Sequence, residues 1–293
     1  KEFLNHAFDW KNKYGNIILD QLKKLGCSCD WERTRFTMEP DLSDAVIDSF
    51  IDLHDKGFIY YGTRMINWDP VGKTALSDEE VNHEEQQAQL YYINYPLSEG
   101  NESIQIATTR PETIMGDTAI CVHPTDDRYK HLIGKSCLVP LVNRPIPIIA
   151  DDYIDIEFGT GALKVTPAHD FNDYEIGKRH KLASIDCFND DGTLSEAAQI
   201  FIGEDRFKAR KLVVSELDKL GSLIKTEQIV NKVGKSERTK AVVEPRLSAQ
   251  WFMDMKKFMD EHPESLSDVM NDKIQFHPAK FKNTYRHWLE NIK

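Results

Sequence analysis

Three features are scarce or absent in this sequence, and each absence argues against a class of protein. No apolar run is long enough to cross a membrane, and the first residues, Lys1 to Asn5, do not resemble a signal peptide. Positive charge is in deficit, because 37 Lys and Arg residues against 48 Asp and Glu residues give a formal net charge of -11. We therefore expect a cytoplasmic protein with no membrane contact, and the net charge alone disfavours nucleic acid as a partner.

Net charge does not exclude RNA binding, because a local basic patch outweighs the average. Clusters of Lys and Arg at 178–181, 208–211 and 232–240 could form such patches, although each could equally be a solvated face of a helix or hairpin. An acidic chain of this kind is expected to bind RNA weakly and with a strong dependence on salt.

Cysteine is present but not in the spacing of a metal site. The five cysteines are odd in number and irregularly spaced. Cys27 and Cys29 form a Cys-x-Cys pair, and no second pair completes the four ligands of a structural zinc site. The sequence therefore predicts reduced thiols in a cytosolic protein, with no metal and no cofactor.

The pattern of apolar residues changes along the chain from helical spacing to short strands. Amphipathic helices are predicted at 9–25 and 41–56, followed by a hairpin around Gly62. Further helices are predicted at 170–180, 205–220, 246–260 and 278–292, and a ribbon at 223–233. Strands are predicted at 90–97, 103–109, 118–122, 136–140, 146–149 and 162–165. Many short strands at this spacing suggest a barrel or a sandwich.

The most informative segment is residues 159–174, where an apolar strand ends in a burst of polar side chains. Thr166, His169, Asp170 and Asp173 follow the strand within about two turns of backbone. Asp170 and Asp173 are three residues apart at a predicted helix start, so they share one face and are stabilised there as carboxylates. Such a site can hold a substrate ammonium and order a water. The alternative is a helix start with solvated caps.

A second segment, residues 106–118, runs from a strand into a threonine-rich turn. The hydroxyls of Thr108, Thr109 and Thr113 and the guanidinium of Arg110 offer donors suited to a ribose, a phosphate or an acyl oxygen. A Thr-Thr-Arg-Pro run can also be no more than a capped turn. The two segments together are far more specific than either one alone.

Together the two segments resemble the editing domain of class I aminoacyl-tRNA synthetases, the connective-peptide insertion of the valyl, isoleucyl and leucyl enzymes. The valyl form is the most similar, since Glu112 follows Arg110 and Pro111, Gly-Asp-Thr stands at 116–118, and Lys164 is present. The leucyl form usually has Asp at position 112. The isoleucyl form replaces the arginine and lacks the lysine.

The resemblance covers essentially the whole chain. The segment at 67–81 resembles the approach to the valyl editing core, and the segments at 234–239 and 243–252 resemble the return to the catalytic domain. The implied fold is α+β, a β-barrel editing core decorated by helices, with helical and ribbon stem segments at both ends. The implied domains are a leading stem with helices and a Trp-x-Pro hairpin at 1–88, the β-barrel editing core at 89–228, and a return stem at 229–293.

Two signatures of class I synthetases do not occur in the sequence. These are the HIGH-type His-x-Gly-His motif and the KMSKS motif, which handle ATP. The chain also does not begin with Met. The resemblance therefore implies an excised insertion that does not activate an amino acid.

The resemblance implies a role for four residues of the first segment, which are the predicted catalytic residues. Asp173 is expected to hold the α-ammonium of a misattached threonine through a charge-assisted hydrogen bond. Thr166, Lys164 and Asp170 are expected to line the side-chain pocket or to position water. No cysteine or serine has the context of a covalent nucleophile.

The residues implied to bind substrate come mainly from the second segment. They are Thr108, Thr109, Arg110, Glu112, Thr113 and His169. The threonines and Arg110 are expected to hold the terminal adenosine and the ester carbonyl, whereas His169 either orients a carboxylate or is structural.

The implied activity is post-transfer editing, the hydrolysis of the aminoacyl ester of a mischarged tRNA, in particular threonyl-tRNA(Val). A pocket shaped for valine rejects the isosteric threonine poorly, so a second site must hydrolyse the wrong ester. Water is expected to attack the ester, accelerated by positioning and electrostatics. The implied partners are the 3′ end of tRNA(Val) carrying threonine and the catalytic domain of the same synthetase, with the chain itself a monomer.

Three alternatives remain open at this point. The chain could be an editing domain of the isoleucyl or leucyl type, against which Glu112, Asp117 and Lys164 argue. It could be a structural piece that binds a tRNA end and is inactive in isolation, as its acidity suggests. An unrelated β-barrel that binds a ligand is the third, and the full-length resemblance disfavours it.

Overall fold

A computed structural model describes residues 1–292, and Lys293, the last residue of the predicted return stem, lies outside the described part. The chain divides into two compact units, one formed by Lys1–Tyr60 together with the residues from Phe252 onward, the other by Tyr61–Trp251. In the described part, no helix combines the length and the apolar character needed to span a membrane. The boundaries at 88 and 228 stay predictions, since they divide the chain by role and not by compactness.

Helices and strands are both abundant, which confirms the predicted α+β class. The helices in the described residues are α1 (Glu2–Tyr14), α2 (Ile17–Lys24), α3 (Pro40–Asp55), α4 (Phe171–His180), α5 (Arg206–Lys219), α6 (Met255–Glu261), α7 (Glu264–Met270) and α8 (Phe281–Glu290). The strands are β1 (Ile59–Asp69), β2 (Thr74–Leu76), β3 (Val81–Pro96), β4 (Ser103–Thr108), β5 (Ala119–Val122), β6 (Ser136–Leu138), β7 (Pro145–Ala150), β8 (Ala162–Val165), β9 (Leu223–Ser236) and β10 (Glu244–Met253).

The helix predicted at 246–260 is wrong in its first part, which is strand β10. This strand lies beside β1 in a sheet, and such pairing overrides the local spacing of apolar residues. Helix α6 begins only after Asp254, whose carboxylate accepts a hydrogen bond from the N–H of Lys257 at 2.9 Å. The helix predicted at 9–25 is divided into α1 and α2 by the Gly15-Asn16 pair.

The hairpin predicted around Gly62 is also wrong, because β1 continues through this glycine to Asp69. The chain reverses later, and β1 pairs antiparallel with β2. The carboxylate of Asp69 accepts hydrogen bonds from the N–H groups of Val71 and Gly72 in the turn between the two strands. The turn therefore follows the aspartate that can bond to the backbone two and three residues on.

The predicted closed β-barrel is wrong for the described residues, whose strands form three open sheets. Their orders are β10-β1-β2, β4-β3-β9 and β6-β7-β5-β8. A barrel needs a hydrogen-bonded ladder around its whole circumference. Strand β3 pairs with β4 on one side and β9 on the other, so both its edges are occupied. An isolated bridge between Leu97 and Cys137 connects the residue after β3 to β6, and the N–H of Ser98 donates to the carbonyl of Ser136 at 2.8 Å.

The main hydrophobic core lies within the Tyr61–Trp251 unit. Along β4, the buried residues Ile104, Ile106 and Thr108 alternate with less buried ones, as expected for a strand with one buried face, whereas β3 buries three consecutive residues, Tyr91, Tyr92 and Ile93. Fully buried members of the core include Ile93, Tyr95, Ile104, Ile106, Ile120, Val213 and Leu217. Helix α5 thus packs its apolar side on the sheets.

Two chain segments leave the core next to one another and carry the polar residues of interest. Strand β4 ends at Thr108 and continues into a 3₁₀ turn at Pro111–Gly116. Strand β8 ends at Val165, and α4 begins at Phe171 after a tight turn. The N–H of Thr118 donates to the carbonyl of Val165 at 2.9 Å, which ties the end of the 3₁₀ turn to the end of β8.

Candidate functional site

A pocket of about 860 Å³ in the Tyr61–Trp251 unit gathers both polar segments. Its walls come from the end of β4, the loop at 153–161, β8 with the start of α4, and β9 at 229–231. Nine of the ten predicted site residues line it: Thr108, Thr109, Arg110, Thr113, Lys164, Thr166, His169, Asp170 and Asp173. The tenth, Glu112, is buried behind Arg110 and contacts its guanidinium.

The floor of the pocket is a buried cluster centred on Lys164. The ammonium donates to Thr113 Oγ1 at 2.9 Å, to Thr166 Oγ1 at 2.6 Å and to Asp117 Oδ1 at 3.1 Å. Asp117 also accepts hydrogen bonds from the hydroxyls of Thr166 and Tyr95, each at 2.6 Å. Burial raises the pKa of Asp117, and the charge of Lys164 and these hydrogen bonds oppose the rise. The cluster therefore holds its ion pair with every partner in hydrogen-bond contact.

Asp173 lies in the first turn of α4 and is 5% exposed. The N–H of Thr166 donates to Oδ2 at 2.8 Å, whereas Oδ1 has no hydrogen-bond partner among the described residues. Burial raises the pKa of Asp173 to about 7, and the charge of Asp170 adds to the rise. An aimed carboxylate oxygen with so perturbed a pKa is typical of a functional site.

Asp170 is the N-cap of α4 and is exposed at the rim of the pocket. Its Oδ1 accepts hydrogen bonds from the N–H groups of Asn172 at 2.8 Å and of Asp173 at 3.1 Å. The capping interpretation of this residue is therefore confirmed. The carboxylate also places a second negative charge beside Asp173.

Arg110 belongs to a network of alternating positive and negative side chains, here called the buried ladder, whose members are far apart in the sequence. It pairs with Glu112 and with Glu244, and it donates to the carbonyl of His169 at 2.9 Å. Glu112 accepts two hydrogen bonds from Arg210, at 2.7 and 2.8 Å, and Glu244 accepts one from Arg206 at 2.7 Å. Burial acts to raise the pKa of Glu112, but Arg210 and Arg110 together hold it below its usual value.

His169 is fully buried, and its ring is a structural element of the wall. Its Nε2 accepts a hydrogen bond from the N–H of Cys187 at 2.9 Å, so the proton of the neutral ring is on Nδ1. Burial, together with the charges of Arg110 and Lys164, lowers the pKa of His169 well below 6.5. Nδ1 has no hydrogen-bond partner among the described residues and lies 4.0 Å from Glu244 Oε1.

Thr108 and Thr109, where β4 ends, have hydroxyl protons that are available to a ligand. Thr108 Oγ1 accepts a hydrogen bond from the N–H of Arg110 at 3.0 Å, and that is its side-chain bond within the described part of the chain. Both Thr108 and Thr109 line the pocket. This wall can therefore donate to an oxygen of a ligand.

Sequence reasoning does not assign four charged residues that the structure places around the site. Asp117, Arg210 and Glu244 are buried or partly buried partners of predicted site residues, and Arg206 is the buried partner of Glu244. Asp117 stands in the segment at 106–118 and could have been found there. Arg210 lies 98 positions from Glu112, and Glu244 lies 134 positions from Arg110 and 38 from Arg206. No local pattern marks these three residues. No group of three or more His, Cys, Asp or Glu residues in the range 1–292 could hold a metal ion.

The arrangement suits a small polar cation linked to an acyl group. The lining offers a carboxylate oxygen from Asp173 and a hydroxyl oxygen from Thr166, together with the hydroxyl donors of Thr108 and Thr109. The exposed aromatic rings of Tyr153 and Phe158 stand at the lining loop. Aromatic rings of this kind can stack on a nucleobase.

Comparison with known proteins identifies relatives over the full length of the chain. The family model described as tRNA synthetases class I (I, L, M and V) matches residues 1–293. The valine–tRNA ligase of Bacteroides thetaiotaomicron is 58% identical over 295 residues, which cover 100% of this chain and 33% of that protein. The valine–tRNA ligase of Bacillus subtilis is 50% identical over 293 residues, with the same two coverages.

The chain spans about a third of the length of the curated relatives that it matches. Among solved structures, the LeuRS–tRNA–LeuAMS ternary complex of Agrobacterium radiobacter K84 matches with a TM-score of 0.39 at 18% identity, over 75% of this chain and 36% of that one. A score this low supports no conclusion about the fold.

Proposed function

The chain belongs to the class I tRNA synthetases (I, L, M and V), and from this premise we propose that its pocket hydrolyses the aminoacyl ester of a mischarged tRNA, threonyl-tRNA(Val) in particular. The observation that supports this most directly is the carboxylate of Asp173. It is buried, anchored through one oxygen, and open to the pocket through the other. The valine–tRNA ligases among the relatives favour threonine as the error, since threonine has the shape of valine.

The polarity of the pocket defines how an aminoacyl ester would bind. The α-ammonium would lie against Asp173 Oδ1, with the charge of Asp170 nearby. The ester carbonyl would lie at the opposite wall, where the hydroxyls of Thr108 and Thr109 can donate to it. Donors at this position stabilise the negative charge that develops on the carbonyl oxygen during attack.

The reaction is a hydrolysis that needs no covalent enzyme intermediate. The oxygen of a water molecule attacks the ester carbonyl carbon, and the bond between that carbon and the ribose oxygen breaks. One proton of the water passes to the ribose oxygen, which leaves free threonine and an intact tRNA 3′ end. Holding the ester and the water together supplies much of the acceleration. Within the described residues, the thiols nearest the core are buried, and burial raises the pKa of Cys187 to about 12, so it is a poor nucleophile.

The test is the release of threonine from purified threonyl-tRNA(Val) at low salt. We expect the chain to release threonine and the Asp173→Asn variant to lose that activity, because an amide cannot pair with the ammonium. Asp205→Asn is the matched control, because Asp205 caps α5 outside the pocket and asparagine caps equally well. Valyl-tRNA(Val) in parallel should be spared.

Three outcomes would contradict the proposal. Equal release from the Asp173→Asn variant would remove the ammonium-binding role. Weak tRNA binding without turnover by the folded chain would favour the interpretation of a structural piece that binds a tRNA end, and faster release of a different misattached amino acid would indicate an isoleucyl or leucyl type of editing.

A further inference from the structure

The hydrogen atoms of the pocket floor can be assigned from the chemistry of their partners. Asp117 as a carboxylate can only accept, so the Thr166 hydroxyl donates its one proton to Asp117 Oδ1 at 2.6 Å. An ammonium can only donate, so Thr166 Oγ1 accepts from Lys164 at 2.6 Å. The Thr166 oxygen therefore has one remaining lone pair and no remaining proton.

The other polar atoms of the pocket floor likewise have no proton left to donate to a ligand. Lys164 directs its three protons to Thr113, Asp117 and Thr166, so it has none left for a ligand. The Thr113 hydroxyl donates to the carbonyl of Arg110 at 2.9 Å and accepts from Lys164. Above about pH 7, where its carboxyl group is ionised, Asp173 Oδ1 also can only accept.

Asp117 causes this lack of free protons on the pocket floor, although it does not line the pocket itself. It is fully buried beneath Lys164 and Thr166 and is not among the lining residues. It accepts hydrogen bonds from the Thr166 hydroxyl and from one of the three N–H groups of the Lys164 ammonium. The Tyr95 hydroxyl bonds to its second oxygen at 2.6 Å and fixes its orientation.

We infer that Asp117 is a specificity-determining positioning residue, which makes the pocket floor an acceptor-only surface that selects amino-acid side chains able to donate a hydrogen bond. This inference rests on the proposed function and adds the rule by which the pocket chooses its substrate. A threonyl hydroxyl can donate to the spare lone pair of Thr166. A valyl methyl group of the same shape would leave buried acceptors unpaired, which is costly.

The rule makes a distinction that pocket size alone would not make. O-methylthreonine has the shape of isoleucine but carries an ether oxygen, which accepts and cannot donate. An acceptor-only floor gives that oxygen no partner, so the two side chains should bind equally poorly. A floor with a free proton would bind O-methylthreonine more tightly than isoleucine.

The test uses stable 3′-amide analogues of aminoacyl-adenosine, with affinities measured by calorimetry on the full chain at about pH 8, where Asp173 is ionised. We expect the threonyl analogue to bind roughly tenfold more tightly than the valyl analogue, the effect of one buried hydrogen bond. The O-methylthreonyl and isoleucyl analogues should bind within about twofold of one another.

Two variants then test the role of Asp117. Asp117→Ala releases the Thr166 proton and a Lys164 proton, so the O-methylthreonyl analogue should gain roughly fivefold or more over the isoleucyl analogue. Asp117→Asn keeps an acceptor oxygen towards Thr166 and Lys164 and should retain the wild-type order. The order on the wild-type chain tests the acceptor-only rule even where Asp117→Ala does not fold.

The results separate this inference from the proposed function. Equal binding of the threonyl and valyl analogues, or tighter binding of the O-methylthreonyl than the isoleucyl analogue by the wild-type chain, would overturn the acceptor-only rule while threonine release from tRNA still stood. An Asp117→Ala variant that folds and keeps the wild-type order would remove Asp117 from the rule. Failure of every analogue to bind would overturn both.

Discussion

The main-chain N–H of Thr166 donates to Oδ2 of Asp173 at 2.8 Å, so the residue that follows β8 anchors a carboxylate on the first turn of α4. Among residues 1–292, this is the one hydrogen bond that the Asp173 carboxylate accepts. The tight turn between the strand and the helix thus both buries the carboxylate and aims its other oxygen at the pocket. A buried charge held in this manner favours ligand binding and disfavours stability.

Stability should therefore depend on pH through Asp173. Its folded pKa of about 7 is above the ordinary value of 3.8, so the folded state binds the proton more tightly than the unfolded state. The stability from this group is complete below about pH 4 and is lost as the pH rises through 7. The Asp173→Asn variant has no carboxyl group to titrate, so it does not lose this stability as the pH rises. The free energy of unfolding of the variant minus that of the wild type should therefore increase by up to roughly 4 kcal/mol between pH 4 and pH 8.

Urea unfolding of both proteins across that pH range measures the difference. The hydrogen bond from the Thr166 N–H is kept in the variant, because the asparagine oxygen can accept it. Parallel stability curves for wild type and variant would show that the Asp173 carboxylate is ionised at no cost, contrary to its burial.

Ionisation of Asp173 should increase the catalytic rate, although it decreases stability. An ammonium pairs with Asp173 only when the carboxylate is ionised, so kcat/KM for threonyl-tRNA(Val) should fall below about pH 7. Asp170→Asn removes the neighbouring charge that helps to raise this pKa, and asparagine still caps α4. The acidic limb of the profile should therefore move to lower pH in this variant.

The rate profile of the Asp205→Asn variant provides the comparison, since this change also replaces a helix cap but lies outside the pocket. Its acidic limb should coincide with that of the wild type. An acidic limb that stays in place in Asp170→Asn would mean that another group controls the rate.

The parts of the site that lie close together in sequence could be predicted, and the distant parts could not. Thr108 and Arg110 stand in one turn, and Thr166 and Asp173 stand in another, so local chemistry marks each set. The pairing of Arg110 with Glu244 joins positions 134 residues apart. The sequence pattern directly after Glu244 predicts a helix at 246–260, whereas the structure has strand β10 there because β1 lies beside it.

The closed barrel was expected for a related reason. Short strands with regular spacing are common to barrels and open sheets, and the difference lies in which edges pair. Strand β3 is 16 residues long and gives one edge to β9 from Val81 to Ile93. No residue type in β3 predicts that it pairs with β9.

Removing the charge of Glu244 should weaken the fold and the pocket together. Glu244→Gln leaves Arg206, which is 4% exposed, without its anionic partner, and it breaks the ladder that holds Arg110. Loss of one member of a buried pair costs about 3 kcal/mol or more, which urea unfolding would measure. Because Arg110 also holds the carbonyl of His169, the KM for threonyl-tRNA(Val) should rise.

Glu227→Gln is the control for this change, since Glu227 pairs with Lys225 on an exposed face of β9. Exposed ion pairs contribute little to stability, so this variant should resemble the wild type in both measurements. Equal effects of the two substitutions would show that the buried ladder has no special role.

Gly161 should be required by the loop that lines the pocket. It has a φ of +73°, and a Cβ there would collide with Nη2 of Arg128 and lie 3.0 Å from the carbonyl oxygen of Ile156. That Arg128 nitrogen donates to the Ile156 carbonyl at 2.8 Å and so holds the loop. Gly161→Ala should therefore lower the free energy of unfolding by more than the roughly 1–2 kcal/mol of left-handed backbone strain alone, and it should weaken binding in the pocket.

Gly203→Ala separates the two causes, because Gly203 has a φ of +80° and no atom within 4 Å of the position that an alanine methyl group would take. It should show the backbone strain without the collision and should leave the pocket unaffected. Adding Arg128→Ala to Gly161→Ala removes the colliding group, so the two changes should cost less together than the sum of their separate effects. Strict additivity in this double-mutant cycle would mean that Arg128 and Gly161 are not in contact, and that the loop is held by other residues.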